Sequence, residues 1–289
     1  MRKQMRKAGL SLVAAMITFS VLFTVGCVGG KRPEADSLVD SLSAHIDSLR
    51  EDTLESVLDQ QPMPRAADEL FDDFFFNFAG NRKLQRERID FPLRVSRNGK
   101  VETIIPKNAW RIDHFFMRQD YYTLILDSKK QLRLLKDTTV NNVVVEKINF
   151  AKQSVKCYAF NRIVGLWKLT GISYHPIAQN KNASFLDFYS RFAVDSAFQV
   201  SSMDEWVTFS APDPDDEFNN ITGTMSPEQW PMFKPELIPT GVIYNILYGK
   251  AYPGGNQKIF IVRGIANGLE LEMNFQKKDG VWKLVKFVS

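Results

Sequence analysis

The residues most able to do chemistry are few and scattered. Asp113 and His114 are adjacent, and Asp120, Tyr121 and Tyr122 follow closely. A histidine with a carboxylate partner acts as a base near neutral pH, so His114, Asp113 and Tyr121 form the candidate proton-transfer group. Neighbours in a regular strand point to opposite faces; Asp113 and His114 can therefore share a site only at a turn or a helix end. The alternative is a surface or hydrogen-bonded structural role. His45 falls in an amphipathic stretch and His175 opens a linker. With only Cys27 and Cys157 besides, no metal-ligand spacing arises, and neither metal nor cofactor is expected. Cys157 lies in the strand-like run SVKCYAF and reads as a buried, inert thiol. The run from Asp213 to Glu217 lacks the alternating ligands and glycine of a calcium loop. Gly254-Gly255 precedes neither a lysine nor a helix cap, so it is a turn rather than a phosphate cradle. Aromatics are more plentiful. Trp110, Trp206, Trp230, Tyr244 and Tyr248 are candidates for lining an apolar pocket, with core packing as the alternative for each.

Something must carry and position these residues. Residues 1–7 are basic, and 8–26 are almost wholly apolar or small, the pattern of a secretory signal. Thr24-Val25-Gly26-Cys27 follows and resembles the lipobox of bacterial lipoproteins. That resemblance implies a signal peptide over 1–26, lipidation of Cys27 and a membrane anchor. Thr24 stands where leucine is usual. No Asp follows Cys27, which implies an outer-membrane lipoprotein of the cell envelope, facing the periplasm or the surface. The formal charge is +4, and the leader alone holds Arg2, Lys3, Arg6 and Lys7. The remaining chain is near neutral, so no basic field exists to attract nucleic acid.

A lipidated tether spans 27–65. Leu38, Leu42, Ile46 and Leu49 recur at helical spacing, and Pro62 and Pro64 close the segment. Asp36-Ser37-Leu38, Asp40-Ser41-Leu42 and Asp47-Ser48-Leu49 repeat one tripeptide. It resembles the O-glycosylation sequon of some Gram-negative anaerobes, which implies glycosylation at Ser37, Ser41 and Ser48. The competing reading is a helix whose polar face carries Asp and Ser.

Beyond the tether the sequence repeats itself, and a repeat redefines the expected fold. Phe71, Phe74, Phe75 and Phe78 line one helical face, as do Phe185, Phe188, Tyr189 and Phe192. Leu84-Gln85 parallels Phe198-Gln199. The stretch from Ile105 to Trp110 parallels that from Met225 to Trp230, where Ser226, Pro227 and Gln229 predict a capped helix start. Phe160 with Gly165-Leu166-Trp167 parallels Phe275 with Gly280-Val281-Trp282. Each copy predicts a long helix (66–79 in the first, 184–194 in the second) and then strands. In the first copy these fall near 91–97, 101–106, 121–127, 131–136, 143–150, 154–162 and 166–173, with Asn98-Gly99 as a hairpin turn. Helices before strands give an α+β class with a mostly antiparallel sheet. The expected domains are 66–175 and 183–289.

This order of elements, with its Phe and Trp positions, resembles the nuclear transport factor 2-like fold. It also resembles a family of uncharacterised envelope lipoproteins of Gram-negative anaerobes. The resemblance implies two tandem cone-shaped domains, each a long helix packed on a strongly curved antiparallel sheet. It says nothing of function, because fold does not fix activity. The leading expectation is a non-catalytic binding module for a small apolar ligand, a peptide or an envelope partner. One rival is an enzyme with a single acid–base cone, isomerase- or dehydratase-like. The other is a structural spacer or assembly subunit.

Overall fold

The computed structural model describes residues 68–213, 216–249 and 255–289. Cys27, the signal segment and the serines Ser37, Ser41 and Ser48 lie outside the described residues.

The first half opens with helix α1 (Phe71–Gly80) and the short helix α2 (Arg82–Glu87). Strands β1 (Ile89–Arg97), β2 (Lys100–Ile105), β3 (Tyr121–Leu126), β4 (Asn142–Asn149), β5 (Ser154–Ile163) and β6 (Leu166–Pro176) follow. The second half repeats this order with α3 (Ala183–Phe192), α4 (Ser196–Ser201), β7 (Met203–Asp213), β8 (Asp216–Met225), the one-turn helix α5 (Trp230–Phe233), β9 (Val242–Tyr248), β10 (Gln257–Gly264), β11 (Glu270–Lys278) and β12 (Val281–Val288).

Local chemistry accounts for the element ends. Asp72 and Asp73 occupy the first turn of α1, where negative charge complements the helix dipole. Asn81 caps α2 by accepting from the Leu84 N–H at 2.6 Å, and Asp195 caps α4 by accepting from Phe198 at 2.9 Å. Ser226 and Gln229 form the expected capping box, with Pro227 in its first turn. Asn98-Gly99 and Asp279-Gly280 turn two hairpins with positive φ at both residues. Two expectations are corrected. Helix α1 starts at Phe71, five residues later than predicted. Lys129–Lys136 is a 3-10 helix rather than a strand, because Ser128 and Gln131 close a capping box at its start.

The strands form one twelve-stranded sheet, ordered β2-β1-β6-β5-β4-β9-β3-β10-β11-β12-β7-β8. The expectation of a separate sheet for each half is thereby corrected. The run β2-β1-β6-β5-β4 reappears at the other end as β10-β11-β12-β7-β8. Between them the two remaining strands have exchanged places. Strand β9 of the second half pairs with β4, and β3 of the first half pairs with β10. Joining the halves covers edges: a strand edge left open offers unpaired N–H and C=O groups, and pairing across the middle of the sheet closes one edge of each half with the other. Strands β1 on β6, β7 on β12 and β3 on β9 are parallel; the other pairings are antiparallel.

Two cores flank this sheet, one on each face. Along β3, Tyr122, Leu124 and Leu126 join the core under α1, while Tyr121 and Ile125 join the core under α3. Along β10, Ile259 and Ile261 face the first core and Phe260 and Val262 the second, as period-two alternation requires. Equivalent contacts recur in the two cores. Phe71 meets the Trp167 ring edge at 5.1 Å, and Phe185 meets Trp282 at 5.6 Å. Phe78 stands perpendicular to Phe160 at 5.3 Å, and Phe192 to Phe275 at 5.2 Å. Each fully buried Phe contributes about 1.5–3 kcal/mol, so the aromatic faces of α1 and α3 drive the assembly.

Candidate functional site

Asp113 is placed by a side chain from α2. Gln85 is buried; its Nε2 donates to the Asp113 carbonyl at 2.9 Å, and its Oε1 accepts from the Asp113 N–H at 3.2 Å. The same Oε1 accepts from Trp110 Nε1 at 3.1 Å. Gln199 accepts from Trp230 Nε1 at 3.0 Å in the second half, so the Gln–Trp pair is a repeated structural device. It fixes the segment leading into β3.

The Asp113 carboxylate accepts from the Tyr158 hydroxyl, from the Phe115 N–H at 3.0 Å and from Lys156 Nζ at 3.4 Å. Burial alone would raise its pKa. The Tyr158 hydroxyl, Lys156 and the Phe115 N–H outweigh that and hold it below the ordinary carboxylate value. Tyr158 is pushed up by burial and then by the Asp113 charge. Lys156 also lies over the Tyr158 ring at 4.4 Å, and Lys147 over the Tyr244 ring at 5.3 Å. An aspartate so stabilised as an anion is a weak base near neutral pH. The arrangement holds a charge in place. Tyr121 does not join it: its ring packs in the core on the other face of the sheet. His114 is half-buried beside Asp113, where its carbonyl accepts from the Met117 N–H at 3.0 Å.

The five aromatic candidates do not converge. Trp110, Tyr244 and Tyr248 are buried in the first core, and Trp230 in the second. Trp206 is 59% exposed on β7. Tyr248 donates its hydroxyl to Asp72 of α1. Burial raises the Asp72 carboxyl, and burial followed by the Asp72 charge raises Tyr248. The two cores are filled by the chain's own rings: Phe71, Phe74, Phe75, Phe78, Phe116 and Phe160 in the first, Phe185, Phe192 and Phe275 in the second, all buried.

Two further places emerge that sequence spacing did not single out. The first is a cleft of about 300 Å³ lined by Arg82, Arg86, Trp110, Arg111 and Ile112. Arg86 and Arg111 are exposed, and the Trp110 ring, pinned by Gln85, is buried. The second joins Glu146, Cys157 and His175, whose ligand atoms all lie within 4.8 Å of one another. Sheet register creates it: Glu146 faces Cys157 across β4 and β5, and His175 follows one diagonal step away on β6. The one signal in the sequence is the charged pair Glu146-Lys147 set among the apolar residues of Val143–Ile148. Burial pushes Glu146 up, and burial with the Glu146 charge pushes the Cys157 thiol up to about 12.

The family described as a domain of unknown function, DUF4348, matches residues 50–289. The chain belongs to the DUF4348 family. A crystal structure of an NTF2-like protein from Bacteroides fragilis is 40% identical to this DUF4348 chain. The match covers 78% of this chain and 98% of that one, with a TM-score of 0.70. The DUF4348 fold is thus NTF2-like, a curved sheet with helices packed on it. Comparison with curated proteins gives no match.

Proposed function

We propose that this DUF4348 chain is a non-catalytic outer-membrane lipoprotein, anchored at Cys27, that holds an acidic peptide segment of an envelope partner. Each half is read as one NTF2-like cone that has lent its third strand to the other. Three occupants were expected for such a module: an apolar ligand, a peptide or an envelope protein. Filled aromatic interiors leave the cones little room for an apolar ligand, and the tethered Asp113 argues against proton transfer as the main role. The arginine cleft carries the reading. Arg82, Arg86 and Arg111 surround a flat, pinned Trp110 ring, and guanidinium forks bind carboxylates bidentately.

Calorimetric titration with hexaglutamate tests this. Binding should be measurable at low salt, weaken as salt rises and fall by more than about tenfold in the double variant Arg86→Glu/Arg111→Glu. Equal affinity in that variant would refute the cleft. The anchor is tested separately: a fatty-acid analogue should label the wild type and leave Cys27→Ser unlabelled, and the labelled protein should fractionate with the outer membrane.

A further inference from the structure

We propose that Glu146, Cys157 and His175 form a zinc site with three protein ligands and a fourth position open to water. The site lies on the sheet face opposite Asp113 and is independent of the arginine cleft.

Geometry supports each ligand. Cys157 Sγ and His175 Nε2 are 3.4 Å apart. Zinc binds thiolate sulfur at about 2.3 Å and imidazole nitrogen at about 2.0–2.1 Å, so two such ligands of a tetrahedral ion stand about 3.5 Å from each other. The pair is already at ligand spacing. The imidazole is also oriented from behind: His175 Nδ1 lies 3.0 Å from the Pro176 carbonyl. A proton on Nδ1 donated to that oxygen leaves the Nε2 lone pair directed at Cys157, the outer-shell arrangement that fixes a ligating histidine.

Glu146 completes the set. It is buried, and each carboxylate oxygen accepts one amide donor: Oε1 from Asn180 Nδ2 at 2.7 Å, Oε2 from Asn245 Nδ2 at 2.8 Å. Those two bonds orient the carboxylate and leave each oxygen a lone pair. A buried carboxylate hydrogen-bonded to neutral amides is costly; a divalent ion shared with a thiolate neutralises both. Binding forms Zn–S, Zn–N and Zn–O bonds in place of bonds to water molecules that the ion sheds, and the thiol proton leaves to solvent. Three ligands of mixed N, S and O type suit zinc better than calcium or magnesium, which take oxygen. His175 and Cys157 are only partly buried, so the ion has a path in and water a path to the fourth position.

The test uses the full chain carrying Cys27→Ser, in detergent, so that Cys157 is the sole thiol. Zinc chloride is titrated against a chromophoric chelator, and cobalt(II) is added in parallel as a spectroscopic probe. One zinc per chain is expected, with a thiolate-to-cobalt charge-transfer band. Adding Cys157→Ser should remove that band, and either Cys157→Ser or His175→Asn should weaken zinc by more than about tenfold. Circular dichroism and thermal unfolding confirm that the variants fold. A folded parent that binds no stoichiometric zinc, or variants that bind it as the parent does, would reduce the cluster to a thiol hydrogen-bonded to an imidazole and overturn the proposal.

Discussion

Val164 sits at the tip of the β5–β6 hairpin with φ 50°, followed by Gly165 at 79°. The matching turn in the second half has Asp279 at 49° and Gly280 at 82°. A left-handed backbone costs an ordinary L-residue about 1–2 kcal/mol, and a β-branched side chain is the poorest choice there. Val164 is also 96% exposed, so no packing compensates. Val164→Asp should stabilise the protein by about 1 kcal/mol, seen as a higher urea midpoint at unchanged slope; a lower midpoint would refute the strain. The two shifted aspartates act in opposite directions with pH. Asp113, lowered in the folded chain, stabilises above the ordinary carboxylate value, and that contribution is lost as pH falls through its depressed value. Asp72, raised, stabilises below the ordinary value and loses this as pH rises through its raised one. Asp113→Asn should therefore cost most near neutrality and least in acid, whereas Asp72→Asn should gain on the wild type as pH rises. Denaturation curves across that range would separate the two.

Lys258 of β10 ties together parts that the sequence leaves far apart. Its buried ammonium donates to Asp127, just past β3, and to Asn182 Oδ1, at the start of α3, at 2.6 Å. Removing one partner of a buried ion pair costs about 3–5 kcal/mol because the other charge is left uncompensated, while replacing the whole pair is far milder. Lys258→Met, which keeps the stem and loses the ammonium, should lower stability by nearly that amount, and Lys258→Met/Asp127→Asn by much less, read from chemical denaturation; a Lys258→Met variant as stable as the wild type would mean that packing rather than charge matters. This clamp rests on long-range pairing, which local sequence does not spell out. The aromatic stripes of α1 and α3, the Gln–Trp pairs and the Asn98-Gly99 hairpin are local periodicities and short-range turn chemistry, and all were legible. Strand partners were not. Nothing in the residues of β3 or β9 states that each pairs across the repeat, because both alternate alike and either neighbour satisfies the pattern. The Glu146 cluster was hidden for the same reason: its members meet only once β4, β5 and β6 are in register. Asp113 was found from its neighbours, but Tyr158 and Lys156, which set its charge, come from β5.

At the scale of the molecule, the exchange of β3 and β9 makes each half incomplete without the other. Strand β9 gives Tyr244, Ile246 and Tyr248 to the first core, worth about 4.5–9 kcal/mol at about 1.5–3 kcal/mol each. A domain's whole net stability is about 5–15 kcal/mol. A first half deprived of β9 should therefore not hold its fold, and a second half deprived of β3 loses Ile125 and Tyr121 from its core and the hydrogen-bonded neighbour of β10. Chain continuity is less critical, since the pairings of β9 with β4 and of β3 with β10 hold the halves together regardless of what joins them. Fragments 1–181 and 182–289, co-expressed with a tag on one only, should co-purify as a stoichiometric complex with a single unfolding transition, while each alone should aggregate or stay unfolded. Two fragments that fold separately and ignore one another would show that the strands can return to their own halves.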